Sequence, residues 1–454
     1  MVSFIDRVEE MQSLKRIRAA SARQSQMVVV YGRRRAGKTR LLQEFLRANK
    51  GAYLFVGTKN ESMVLDDLSR ALSEPLGIAP KIESWDDFFE LLFAKKLLVV
   101  LDEFPNILKV NPAAVTEFQR LWDARSKSGG AMLVLVGSYV GTMKRMFFDD
   151  RQPLYGRAAF KLNIRPFDFS GTCEYLKAMG IDDISSALRI YSVLGGVPFY
   201  LNYLDFTDKA KFIPLLFYDF PAPLAEEGKN ILVLEFGSEQ KGYFSILEAL
   251  AGGKTAPKLI SDRTGMPPDT VHKYLHELTE VFGILRREHP AGEIGSRKDV
   301  RYRIADNFFD FWFRFVYPGR AATEEELSTY FGPAFERIVS ELIGRRFPKF
   351  PELGRWWSGK EEIDIVAINR AGGEILFCEC KSGRKPMTRE KLEDMFRKST
   401  LVSWRKGRRK EHFLVVSAGG FTTDCLAMMK ERPVTYWTLK DIADMTSMIP
   451  DKET

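Results

Sequence analysis

The chain has 454 residues, a formal net charge of +8 and 45% hydrophobic residues. That composition excludes a disordered or fibrous protein, its longest apolar runs are strand-length rather than membrane-spanning, and the length predicts about three domains. Cysteines at 173, 378, 380 and 425 and the four histidines show neither disulfide nor zinc spacing, and the positive balance admits polyanions as partners.

Asp6, Glu9 and Glu10 stand where a secretory leader would need a basic start and an apolar stretch, so a cytoplasmic location is expected. The apolar run Met27 to Tyr31 predicts a strand and leads into Gly32-Arg33-Arg34-Arg35-Ala36-Gly37-Lys38-Thr39, which has the spacing G-x-x-x-x-G-K-[ST]. In such a loop the glycines let successive backbone N–H groups curl around phosphates, Lys38 reaches the β and γ oxygens, and the Thr39 hydroxyl can ligate Mg²⁺. Leu41, Leu42, Phe45 and Leu46 follow at helical spacing, so the loop opens a helix whose positive end faces the anion. ATP and Mg²⁺ are therefore the expected cofactors.

A second core strand, Leu97 to Leu101, ends in Asp102-Glu103, where Asp102 can hold the Mg²⁺ shell and Glu103 can polarise the attacking water. A third, Ala131 to Gly137, ends in Ser138, a candidate γ-phosphate sensor or an ordinary turn residue. Helical patterns at Trp85 to Ala94 and Val115 to Ser126 alternate with these strands and predict a parallel sheet covered on both faces.

These residues resemble the archaeal-type P-loop ATPases, which sit near the STAND and AAA+ groups. The resemblance is carried by the triple-arginine loop, Leu101-Asp102-Glu103-Phe104, Gly137-Ser138, Phe4-Ile5-Asp6-Arg7 with Glu9-Glu10, Leu154-Tyr155-Gly156-Arg157 and Gly195-Gly196-Val197-Pro198. It implies that Arg7 and the turn ending in Pro198 border the adenine and that Arg157 is an arginine contact to the γ-phosphate. Read without it, Arg7 is a helix cap, Arg157 a structural ion pair and the Gly-Gly-Val-Pro segment a plain turn.

From Ser170 to about Tyr203 helical patterns dominate and would form a lid on the nucleotide. Residues 242–305 then read as three short helices and a β-ribbon, the layout of a winged helix-turn-helix. Its third helix, from Pro267, exposes Thr270, His272, Lys273 and His276, and the wing carries Arg286, Arg287, Arg297, Lys298, Arg301 and Arg303. Such a module binds duplex DNA or docks proteins.

From Pro333 a helix with Phe335, Ile338, Val339, Leu342 and Ile343 carries Glu336, and two strands follow, Glu362 to Ile368 and Glu374 to Lys381. Alternation puts Glu379 and Lys381 on one face, with Cys378 and Cys380, read as small core residues, on the other; Asp364 can meet Glu379 at one edge. Two carboxylates and a lysine suit a hard divalent ion acting on a phosphate ester. The arrangement resembles the PD-(D/E)XK nuclease superfamily, with Asp364 as first acid, Glu379-Cys380-Lys381 as the E-x-K element, Glu336 as the helix acid and Ile363 in place of the usual proline. The archaeal-type ATPase family has a C-terminal domain of this kind. Further on, residues 404–410 pack five cations and an aromatic beside this site, as a phosphate-backbone grip or a solubilising loop. Phe413 to Ser417 and Thr435 to Thr438 predict two more strands.

The expected whole is an α/β protein. A P-loop NTPase parallel sheet occupies 1–165, a helical lid 166–230, a winged helix-turn-helix 231–321 and a restriction-endonuclease-like domain 322–454. Its expected function is ATP hydrolysis coupled to DNA binding and metal-dependent phosphodiester cleavage. The alternative is an ATP-dependent switch or scaffold whose nuclease-like domain only binds nucleic acid or a protein partner. No membrane partner is expected, and a homo-oligomer is left open.

Overall fold

The computed structural model describes residues 4–5, 7–237, 240–292 and 299–448; Asp6 and the wing residues Arg297 and Lys298 lie outside the described residues. Contacts divide the chain into two compact units, one built from Phe4–Pro166 with Val197–Phe199, the other from Phe167–Gly196 and the chain from Tyr200 onward. The expected divisions near 230 and 322 both fall inside the second unit. Among the described residues no helix is long and apolar enough to cross a membrane.

The first unit is a parallel sheet of β1 (Gln26–Tyr31), β2 (Ala52–Phe55), β3 (Leu98–Asp102), β4 (Met132–Gly137) and β5 (Phe160–Asn163). Their order is β2-β3-β4-β1-β5. Successive residues point to opposite faces, and both faces are buried. Val28, Val30, Val100, Val134 and Val136 pack with Leu14, Leu41 and Phe45 on one side; Val29, Leu101, Leu133 and Leu135 join Leu68, Phe88, Phe118 and Phe147 on the other. That double burial explains the uninterrupted Val and Leu runs. The edge strands β2 and β5 are four residues each and mixed in character, so no periodicity announced them.

In the second unit, Asp168 and Asp183 accept from the backbone N–H groups of Gly171 and Ser186 and so start the helices Phe169–Ala178 and Ile184–Leu194. Helices Gln240–Ala251, Pro257–Thr264 and Pro268–His276 are followed by the antiparallel ribbon β6 (Leu285–Glu288) and β7 (Arg301–Ile304). The helix expected from Pro333 instead runs Glu324–Arg346, with Pro333 inside it. Thr323 and Glu326 form a reciprocal capping box, and a stripe from Leu327 and Tyr330 to Leu342 and Ile343 is buried straight across the proline. Tertiary burial outweighs the single hydrogen bond that Pro333 removes.

The last sheet has five strands rather than four. A strand missed in the sequence, β8 (Glu352–Ser358), precedes β9 (Glu361–Asn369), β10 (Glu374–Lys381), β11 (Lys410–Ser417) and β12 (Val434–Trp437). The order is β12-β11-β10-β9-β8, antiparallel for β8-β9-β10 and parallel for β10-β11-β12.

Candidate functional site

The glycine-rich loop leaves the C-terminal end of β1. Gly32 has φ 148°, and a Cβ there would lie 2.1 Å from the Ile164 carbonyl oxygen, so only glycine fits. Gly37, at φ 95°, turns the chain into the helix Lys38–Ala48, whose N-terminal N–H groups face the loop. Lys38 is 4% exposed, and its Nζ donates to the carbonyls of Gly32 at 2.8 Å and Arg33 at 3.0 Å. Phosphate oxygens would compete for this ammonium.

The strand ends converge on the same place. Thr39 Oγ1 donates to Asp102 Oδ2 at 3.0 Å, the Tyr53 hydroxyl donates to the same oxygen, and the Glu103 N–H donates to Oδ1 at 2.9 Å. Burial, then the bond to Asp102, pushes the Tyr53 phenol above its ordinary range, so it stays a donor. Glu103 stands at φ 51° at the end of β3, and its Oε2 accepts from the Ser138 N–H at 3.4 Å. The hydroxyl and carboxylate pair of Thr39 and Asp102 is a donor set suited to a hard divalent cation. Tyr53 was missed in the sequence because its link to Asp102 runs between neighbouring strands.

Arg7 occupies the N-cap position of helix Val8–Ser21 but makes no side-chain cap. Its guanidinium, 6% exposed, donates to the Ala36 carbonyl at 2.9 Å and the Arg165 carbonyl at 2.6 Å, bracing the loop from behind. Arg34 is exposed, Arg35 stacks 4.0 Å over the Phe199 ring, and Pro198 Cγ lies 3.9 Å from where a Gly37 Cβ would stand. Val197–Phe199 thus covers the loop. Arg157 differs from the expectation. It is ion-paired to Asp123 at 2.9 Å and shares a pocket with Gln24 to Met27, at the strand end opposite the loop, so it does not face this chain's own phosphate site.

In the second unit, β9 and β10 pair with Cys378 opposite Ile365, and continuing the ladder sets Glu379 opposite Asp364. Asp364 Oδ2 accepts from the Cys380 N–H at 2.8 Å. Glu379 Oε2 is buried with no hydrogen-bond partner among the described residues. Burial raises Asp364, and burial followed by the Asp364 charge pushes Glu379 up to about 7. The cation paired with Glu379 is Lys398, at 3.6 Å, from helix Arg389–Ser399; Lys381 instead donates to the Pro386 carbonyl at 3.1 Å. Only the Lys398 spacing to Asp394 was visible in sequence, and that reads as an ordinary helix pair.

Glu336 does not complete a trio with Asp364 and Glu379. Its carboxylate is spent on Arg355, and among the described residues no group of three or more His, Cys, Asp or Glu could hold a metal ion. Cys378 is buried, with Cys380 Sγ 3.8 Å from its own. The basic segment 404–410 is not beside the acids: Lys410 pairs with Glu374 at the far end of β10, about 17 Å along the strand from Glu379. Arg409, in that segment, is structural, donating to the carbonyls of Ser399, Val402 and Trp404.

The wing is also different from a free phosphate-binding ribbon. Arg286 and Arg303 share Glu288, at 2.7 and 3.0 Å, while Arg301 pairs with Glu362 at 3.2 Å and stacks 4.3 Å over Trp357. The Ala291 N–H donates to the Arg355 carbonyl at 2.7 Å. The ribbon is therefore clasped onto β8 and β9 of its own unit, leaving Arg287 as its exposed arginine among the described residues.

A parallel 2-3-4-1-5 sheet with this loop at the end of β1 and an Asp-Glu end on β3, one strand away across β4, defines a P-loop NTPase fold. Residues 4–204 match the ATPase domain found predominantly in Archaea, residues 243–289 the IclR helix-turn-helix domain, and residues 312–393 a family of archaeal and bacterial proteins of unknown function. An uncharacterized protein of Methanocaldococcus jannaschii is 30% identical over 422 residues, 88% of this chain and 92% of that protein. The chain belongs to the same family as that protein. Among solved structures, a Walker-type ATPase of Pyrococcus abyssi matches with a TM-score of 0.54 at 20% identity, across 69% of this chain and 96% of that one. The Aeropyrum pernix ORC2 protein matches with a TM-score of 0.47 at 17% identity, across 73% and 96%.

Proposed function

We propose that the first unit hydrolyses ATP and that the second binds DNA and carries a divalent-cation site for phosphodiester cleavage, under nucleotide control. The observation that carries the first part is the convergence of Lys38, Thr39, Asp102, Glu103 and Ser138 at one end of the parallel sheet. Lys38 and the loop N–H groups would hold the phosphates, Thr39 and Asp102 would hold Mg²⁺, and Glu103 would orient water, as far as its bond to the Ser138 N–H lets it turn. Arg157, facing away, would serve only a nucleotide held by another molecule.

DNA binding rests on the helix-turn-helix, whose exposed His272, Lys273 and His276 are sparse for a phosphate-reading surface. For cleavage, the orphaned Glu379 oxygen and the raised Asp364 and Glu379 carboxyls fit a hard cation that would favour their ionised forms. Such an ion would supply Lewis-acid stabilisation, and Lys398 would offset charge on the phosphate. The alternative, a switch with a silent nuclease-like domain, is favoured by the diversion of Glu336 to Arg355 and of Lys381 to Pro386. Linear, circular and single-stranded DNA incubated with Mg²⁺ or Mn²⁺, with and without ATP, separates the two. Cleavage lost in Asp364→Ala supports the nuclease; ATP-dependent retention of DNA with no cleavage in any condition supports the switch.

A further inference from the structure

The second unit holds a cavity of about 230 Å³ between the clasped ribbon and the acid-bearing sheet, and its cationic lining is Arg286, Arg287, Arg337 and Arg355. We propose that this cavity binds a phosphomonoester, carried either by a free mononucleotide or by the end of a nucleic-acid strand.

The three carboxylates that share the lining are already engaged. Glu288 takes Arg286 and Arg303, Glu336 takes Arg355, and Asp364 takes the Cys380 N–H. The guanidiniums are not used up in return, because each carries five donors in a planar fork. Arg337, with a side chain 10% exposed, donates through Nε to Asn307 at 3.0 Å and reaches Asp310 through Nη1 at 3.3 Å, while its Nη2 is buried without a partner. Arg287 is exposed and makes no hydrogen bond or ion pair among the described residues. Neither of these donors is taken by a carboxylate of the lining. Burial chiefly, and then neighbouring guanidiniums against the pull of Glu288, hold Arg286 and Arg303 below their ordinary value, so a bound anion would relieve the cost of burying these cations together. An oxyanion with several acceptor oxygens answers that need, and Arg–phosphate pairing is its usual form. The volume lies below the roughly 300–1,000 Å³ of drug-sized sites, so it suits a terminal phosphate with its sugar rather than a run of backbone. None of this depends on whether Asp364 cuts.

The test uses the full chain carrying Lys38→Ala, which removes the phosphate loop as a competing site, in EDTA, which removes cleavage. An internally labelled short oligonucleotide bears a phosphate at its 5′ end, its 3′ end or neither, and anisotropy reads binding with and without dAMP. We expect one phosphorylated end, or dAMP, to bind about tenfold more tightly than the unphosphorylated strand, and Arg287→Gln to abolish that preference with an unchanged melting temperature. Direct dAMP binding that displaces the strand identifies the mononucleotide as the source; phosphate-end binding that dAMP does not displace identifies the strand end. Equal affinity for all three strands with no dAMP binding overturns the proposal, as does a phosphate preference that survives Arg287→Gln. ATP turnover and DNA cleavage play no part in these readouts.

Discussion

Tyr53→Phe isolates the support that β2 gives to the metal-binding carboxylate. Asp102 Oδ2 accepts from both Tyr53 and Thr39, while Oδ1 has the Glu103 N–H, so the substitution removes one of the carboxylate's three donors, together with the Tyr53 hydroxyl's own contact to Thr39. A hydrogen bond to a charged acceptor contributes about 1.5–3 kcal/mol, and two remaining donors hold the carboxylate near its place, so about 1–2 kcal/mol of positioning is lost. That corresponds to roughly a 5- to 30-fold fall in ATP turnover at limiting Mg²⁺, recovered in part at saturating Mg²⁺, with nucleotide affinity in EDTA unchanged. Steady-state phosphate release across a Mg²⁺ titration, with nucleotide binding measured separately, reads each quantity. Wild-type turnover and an unchanged Mg²⁺ dependence in Tyr53→Phe would refute the reasoning.

Three further outcomes follow from the same structure. Glu341 accepts from the Phe169 N–H and the Tyr191 hydroxyl, and burial raises it from 4.5 to about 6. Its folded form binds the proton more tightly than the unfolded chain, so its contribution is full below about pH 4.5 and lost as pH rises through about 6, a change of about 2 kcal/mol. Glu341→Gln keeps the acceptor without the charge and should be the more stable protein at pH 8 but no more stable at pH 4, as denaturant titrations at both pH values would show. Gly32→Ala sets a Cβ against the Ile164 carbonyl at 2.1 Å and should abolish nucleotide binding while lowering the melting temperature; retained binding would mean the loop has room it does not show. Arg409→Ala leaves three carbonyls without their donor at a side chain 1% exposed, and should cost about 3 kcal/mol by denaturant melting without changing ATP turnover.

Local chemistry made the first site readable. The loop, the strand before it and the helix after it are contiguous, and a buried parallel strand announces itself as an unbroken apolar run ending in Asp102-Glu103. What stayed hidden was decided between strands or between distant segments. Tyr53 reaches Asp102 only because β2 lies beside β3, and Arg355, on a strand broken by a bulge between Gly354 and Trp356, diverts Glu336 from the acids it was expected to join. The wing arginines looked like free cations for the same reason: Glu288 sits two residues from Arg286 in sequence, but Glu362 meets Arg301 across 61 residues. Likewise the facing of Asp364 and Glu379 was legible from alternation across a short turn, whereas Lys398 arrives from a separate helix.

Phosphate release from ATP by purified wild-type protein beside Lys38→Ala and Asp102→Asn tests the central claim most directly. Lys38 is the buried ammonium on the loop carbonyls, and Asp102 is the carboxylate on Thr39. The structure leads us to expect Mg²⁺-dependent turnover in the wild type and its loss, by at least about 100-fold, in both variants. Turnover that persists in Lys38→Ala would contradict the assignment of the loop as the hydrolytic site.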